Sequence, residues 1–336
     1  MLIAGDIGGT KTDLAIFSSE AGPLVPLAQT RVPSADFASL QMIVREFLAK
    51  ERKPVDRACF AVAGPVIGGR VKTTNLPWVI EESALARELN LNRQSVHLMN
   101  DLEAIAHAVP ILRPSDVETI NSGEPVPKGA IGVIAPGTGL GESFLTWDGS
   151  GYLPHSSEGG HADFAPTDRR QIGLLEYMLK KFDHVSFEHV CSGIGIPNIY
   201  DYLREVEQIQ QEPEVTARID AAGDRTAVIV AHALGGDANR SKLCAATLDM
   251  FVSILAAEAA NVAVKVLATG GIYVAGGVAV HTLAALKQPA FMDSFKRKGR
   301  FAELMARIPI HVVVSPAGLA GAAAYGLKSS PDFKPN

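Results

Sequence analysis

Short apolar runs punctuated by glycine fill the first half of the chain, and helical periodicity fills most of the second. Leu2 to Ala4 and Leu14 to Phe17 flank Gly5-Asp6-Ile7-Gly8-Gly9-Thr10-Lys11-Thr12, which predicts a β-hairpin with a glycine-rich tip. Val25 to Val32 offers a third strand. Phe37, Leu40, Ile43, Val44, Phe47 and Leu48 recur at helical spacing and predict a helix with one buried face. Arg57 to Val62 reads as a buried strand and Val71 to Thr74 as a short one. Glu81 to Leu89 reads as a helix, and Ser95 to Met99 as a strand that delivers Asn100-Asp101 at its carboxyl end. Pro110 to Lys128 holds four prolines and reads as a crossing between domains.

A second strand–turn–strand pattern follows. Ile131 to Ile134 leads into Ala135-Pro136-Gly137-Thr138-Gly139-Leu140-Gly141, and Ser143 to Trp147 leaves it. Beyond Trp147, helices are predicted at Ile172 to Phe182, Ile199 to Val206, Val215 to Ala221, Ala227 to Leu234 and Leu243 to Leu267. The last, rich in Ala, Leu and Val, is expected to be buried on most sides and to stop at Thr269-Gly270-Gly271. Strands at Ile272 to Val274 and Val312 to Val314 precede a helix at Leu319 to Leu327. This mixture is an α/β pattern. The two matched hairpins suggest related half-domains facing each other across a cleft. A small α/β domain is expected over 1–111 plus 318–336, and a larger one over 112–317.

A chain of 336 residues is long enough for two sizeable cores. Net charge is −5, which leaves no basic field for nucleic acid or an anionic membrane. Cys59, Cys191 and Cys244 form no C-x-x-C pair and read as reduced, buried thiols of a cytoplasmic protein. Asp6 interrupts the first apolar run too early for a signal peptide. The longest uncharged apolar stretch, Val266 to Val280, is too short to span a bilayer.

The two tips are where chemistry is expected. Glycines let backbone N–H groups approach phosphate oxygens, and Asp6 can order Mg²⁺ beside them. Neither tip is a P-loop or a dinucleotide fingerprint: Thr10 replaces the second Walker glycine, and the second turn is G-x-G-x-G with no helix after it. Asp101 lies outside the carboxyl end of a strand, where it can accept the proton of an attacking hydroxyl or simply cap the helix Leu102 to His107. Glu158 and His161, on the glycine-hinged loop Glu158-Gly159-Gly160-His161, can bond adjacent sugar hydroxyls. No second His or Cys lies nearby at metal-ligand spacing. Asn75 follows a strand and can reach the same place, and Glu188 reads either as a ligand or as an ordinary first-turn acid after Ser186. Glu142 directly follows the second tip, where a carboxylate facing phosphate repels unless the strand pleat turns it away.

The motifs GDIGGTK, AVAGPV, TTNLPW, MNDLEAIA, APGTGLGES, SEGGHADFAP, FEHVCSG and ATGGIYVAGG run from Gly5 to about Gly321. In order and spacing the set resembles the bacterial glucokinase family of the group without a zinc motif, within the sugar kinase/actin/Hsp70 superfamily. The resemblance implies a two-domain actin-like ATPase (ribonuclease H-like) fold with an interdomain cleft. It also implies ATP-dependent phosphorylation of D-glucose at the 6-hydroxyl and a homodimer. By position, Asp101 matches the catalytic base. Asn75, Asn100, Glu158, His161 and Glu188 match sugar contacts. Gly5, Asp6, Ile7, Gly8, Gly9, Thr10 and Lys11 match the first phosphate loop, with Asp6 holding Mg²⁺ through water. Gly137 and Thr138 match the second loop, and Gly276-Gly277 the turn beneath adenosine. Lys11 stands where many members carry Asn.

Other readings remain within the same resemblance. A kinase for mannose, fructose or an N-acetylhexosamine would share the fold; the related repressor/kinase group often carries a Cys-rich zinc motif that this chain lacks. A non-catalytic sugar sensor would usually append a helix-turn-helix segment or lose the base. An actin-like or chaperone ATPase would have no reason to keep Asn100, Glu158 and His161 together.

Overall fold

A computed structural model describes residues 1–73, 76–236 and 240–328. The chain divides into two compact units, Met1–Arg113 with Ser315–Asn336, and Pro114–Val314.

The first unit is built on the opening hairpin. β1 (Leu2–Ile7) and β2 (Lys11–Phe17) pair antiparallel, and β3 (Ala28–Pro33) adds to β2. The third strand begins later than Val25 because Pro26 has no N–H to give to a ladder. After α1 (Leu40–Glu51), β4 (Arg57–Val62) lies parallel to β1. A two-stranded ribbon, β5 (Arg70–Lys72) with β6 (Val79–Glu81), precedes α2 (Glu82–Leu89). β7 (Val96–Asn100) then completes the order β3-β2-β1-β4-β7, and α3 (Asp101–Ala108) leaves it directly. Alternation along the strands gives the sheet two apolar faces. Ile3, Ile7, Leu14, Ile16 and Phe60 pack with α1 and α2 residues, while Leu2, Ala4, Ala15, Phe17 and Cys59 pack with the C-terminal helix Ala317–Lys328. That helix is Ala- and Gly-rich for a reason. A Cβ on Gly321 would overlap the carbonyl of Ala104 in α3, so only glycine allows the two backbones this close.

The second unit repeats the plan. β8 (Val117–Asn121), β9 (Ile131–Pro136), β10 (Leu140–Trp147) and β11 (Tyr152–Ser157) come first. The helices α4 (Arg169–Met178), α5 (Gly195–Glu205), α6 (Pro213–Ala221), α7 (Arg225–Leu234) and α8 (Lys242–Val266) follow. β12 (Gly271–Val274) leads through α9 (Gly277–His281), α10 (Leu283–Leu286), α11 (Pro289–Phe295) and α12 (Ala302–Arg307) to β13 (Ile310–Val313). The sheet order is β11-β10-β9-β12-β13-β8. Its antiparallel trio β9-β10-β11 next to parallel β12 repeats β1-β2-β3 next to β4. α8 is long and apolar enough to cross a membrane, but 78% of its most apolar window is buried inside this unit, as in a core helix. The three cysteines are free and buried.

β8 falls inside the proline-rich stretch expected to be only a crossing, and β11 was not expected at all. Both are polar edge strands, each paired on one side only, so neither carries an apolar run.

Candidate active site

In the first unit the hairpin tip is held from outside. Gly8 N–H donates to the Lys11 carbonyl (3.0 Å), and Ser34 Oγ donates to the Gly8 carbonyl (2.8 Å). Thr12 Oγ1 lies 2.9 Å from Ser34 Oγ. Among the described residues no backbone carbonyl takes the N–H of Gly9 or Thr10, so the tip keeps donors for an anion. Arg31 grips Asp13 with Nε (2.6 Å to Oδ1) and Nη2 (3.1 Å to Oδ2). Asp13 faces Asp6 across the β1–β2 register, so this bond neutralises the second acid and leaves Asp6 as the carboxylate beside the tip. Lys11 is exposed and lowers the Asp6 pKa through space.

Asp6 is pushed up to about 6, first by burial and then by the charges of Asp101 and Asp13. Asp101 is likewise raised by burial, although backbone N–H groups and the Asn100 amide pull it back. Two acids raised by burial therefore stand at the end of β1 and just past β7, and the Asp101 charge further discourages ionisation of Asp6. The C-terminal helix closes this corner: a Cβ on Gly318 would lie 2.5 Å from Asp6 Oδ2.

Asn100, not Asp101, is the N-cap of α3. Its Oδ1 accepts from Leu102 N–H at 2.8 Å, and its Nδ2 donates to the Gly64 carbonyl at 3.1 Å. Asp101 Oδ1 shares the Leu102 N–H at 3.0 Å. Asn75 lies outside the described residues.

In the second unit three segments knit together. The tip closes with Gly137 N–H donating to the Gly139 carbonyl (2.9 Å), and Gly193 N–H caps the Gly137 carbonyl (2.8 Å). Thr138 is exposed at the tip. Glu188 Oε2 accepts from Leu140 N–H (2.9 Å), and Glu188 N–H donates to the Gly160 carbonyl (2.9 Å). The turn carrying Glu158 and His161, the segment carrying Glu188 and the second glycine tip thus form one cluster. Glu188 is not in the first turn of a helix, because α5 starts only at Gly195. Glu158 and His161 are exposed. Gly276 sits below the same strand end at φ +88°, against the Pro136 carbonyl, with Gly277 opening α9.

Glu142 points the other way. It is 5% exposed and lies under the turn, where a Cβ on Gly159 would overlap its carboxylate. Its neighbour is Glu258 of α8, fully buried. Burial and the Glu258 carboxylate push Glu142 up to about 8, and Glu258 is also raised, chiefly by burial. Sequence reasoning left Glu142 undecided and missed Glu258. A lone glutamate in the Ala-rich run Ala256-Ala257-Glu258-Ala259-Ala260 was the available signal.

A protein-family model described as Glucokinase matches residues 3–329. Glucokinase of Nostoc punctiforme is 38% identical over 335 residues, covering 96% of this chain and 98% of the relative. A solved glucokinase from an Antarctic psychrotroph superposes with a TM-score of 0.81 at 29% identity, covering 98% of this chain and 99% of that one. The glucokinase of Balamuthia mandrillaris, solved in complex with glucose, has the same fold (TM-score 0.77, 22% identity, 98% of this chain and 93% of that one). The fold is the α/β actin-like ATPase fold of the sugar kinases. The chain belongs to the glucokinase family.

Proposed function

We propose that this protein transfers the γ-phosphoryl group of ATP to the 6-hydroxyl of D-glucose, with Asp101 as general base. Family membership supports the reaction. The observation that carries the base assignment is the division of labour at the start of α3. Asn100 serves as N-cap, and Asp101 is a carboxylate just past the end of β7 with a burial-raised pKa. A base so raised is a better proton acceptor when ionised than a solvated aspartate, and such groups typically contribute roughly 10²–10⁴ in rate.

In this reading Glu158, His161 and Glu188 accept and donate at the sugar hydroxyls, with Asn100 and Asn75 adding contacts. Gly9, Thr10 and Thr138 offer backbone N–H groups to phosphate oxygens in turns that Gly8 and Gly137 close, and Gly276-Gly277 lie beneath adenosine. Mg²⁺ fits the first unit. Asp6 is a buried carboxylate with a raised pKa and no guanidinium of its own, since Arg31 is committed to Asp13. One carboxylate together with substrate phosphates is an ordinary Mg²⁺ donor set. Bound there, the ion would offset phosphate charge in the transition state. Lys11 adds a mobile positive charge at the tip. The buried thiols and acidic net charge fit a cytoplasmic protein.

The test is ATP-dependent phosphorylation across glucose, mannose, fructose and N-acetylglucosamine. Preference for glucose is expected. Turnover of a different sugar moves the substrate and keeps the mechanism, whereas ATP hydrolysis without any sugar phosphate overturns the reading.

A further inference from the structure

We propose that Glu142 and Glu258 share a single proton, and that the singly protonated pair is the floor beneath Gly159, making Glu142 a positioning residue for the sugar-binding turn Glu158–His161. The proposal rests on the reading of that turn given above.

The geometry assigns the proton. Glu258 Oε2 accepts from Asn261 Nδ2 at 2.7 Å, and Lys265 Nζ stands 3.5 Å from Glu258 Oε1. Lys298, from the loop before α12, spends its ammonium on Asn261 Oδ1 (2.6 Å) and the Ala257 carbonyl (3.2 Å). One ammonium therefore serves two buried carboxyls. The pair is in hydrogen-bonding reach of each other, yet Oε1 of each lacks a hydrogen-bond partner and is shut off from solvent. A proton on Glu142 Oε1 donated to Glu258 Oε1 satisfies both atoms and leaves one net charge for Lys265. Cys191, which faces both acids, is a fully buried thiol held protonated by burial and by their charges. On its strand neighbours Glu142 meets Ile134 and Ser157.

The link to the sugar runs through Gly159. Glu142 Oε2 is packed against Gly159 so closely that a side chain there is excluded, and Gly160 is packed equally closely on the Leu140 carbonyl. Gly159 N–H is fixed by Ser157 Oγ at 2.9 Å. If Glu142 ionises, two carboxylates with one lysine repel, and the group free to retreat is the one under the turn. Raised acids bind more protons folded than unfolded, so this part of the stability declines as pH rises from the ordinary carboxylate range to the raised value.

Glucose affinity, measured by titration calorimetry between about pH 6.5 and about pH 9, should therefore weaken by roughly an order of magnitude in the wild type. Glu142→Gln, which keeps the shape without a titrating proton, should abolish that slope. The wild-type minus Glu142→Gln infrared difference spectrum at neutral pH should contain the carbonyl stretch of a protonated carboxylic acid. Superimposable pH profiles for the two proteins overturn the positioning role. A difference spectrum with carboxylate bands alone overturns the shared proton. A chain that neither binds nor phosphorylates glucose overturns the functional reading instead, while the infrared band still decides the pair.

Discussion

Gly318 offers a sharp test of the geometry around Asp6. An ideal Cβ at Gly318 falls 2.5 Å from Asp6 Oδ2, 2.8 Å from Cγ and 3.1 Å from Oδ1. Ordinary contact starts at 3.4 Å, so in Gly318→Ala the carboxylate must retreat by the difference, roughly 0.9 Å. Asp6 is fixed at the end of a central strand, so its side chain has to rotate away from the tip. Misplacing a catalytic group by about 1 Å can cost on the order of 10² in rate, or roughly 2.7 kcal/mol of barrier. The fold should tolerate the change. Alanine is a better helix former than glycine by up to about 1 kcal/mol, which offsets part of the overlap, so Tm should move by no more than about 4 °C. The assay is steady-state turnover with saturating glucose, paired with thermal denaturation. A kcat within about threefold of wild type at unchanged Tm would refute the idea that Asp6 must hold its present position.

Three further outcomes are expected. Gly321→Ala, which forces a methyl into the Ala104 carbonyl, should destabilise the first unit by about 1–3 kcal/mol, read as a drop in denaturation midpoint. The acid limb of kcat/KM should lie above the ordinary Asp value of about 3.9, because burial raises Asp101 and the base must be ionised to work. Asn100→Ala removes an amide that pulls this pKa down, so it should move the limb further upward; an unmoved limb would detach Asp101 from it. Glu158→Gln should raise glucose KM with a smaller effect on kcat, and an unchanged KM would remove Glu158 from the site.

The fold class and the family were legible because eight motifs hold their order and because the hairpins are apolar runs with glycine tips. What stayed hidden has a common cause. β8 and β11 are edge strands whose polar residues pair with one neighbour, so periodicity is blank there. The short helices α9 to α12 are too brief to establish a period. Residue type and position marked Asp101 as important but left base and cap equally open. That Asn100 takes the cap supports the base reading. Long-range partnerships, such as Arg31 with Asp13, Gly318 with Asp6 and Glu142 with Glu258, leave no local pattern at all.

The central claim is tested most directly by comparing the wild type with Asp101→Ala in Mg-ATP-dependent formation of glucose 6-phosphate, with ATP affinity measured on both. The account predicts robust product from the wild type and turnover lower by at least about two orders of magnitude in the variant, with ATP still bound. Near-normal turnover in Asp101→Ala would contradict it.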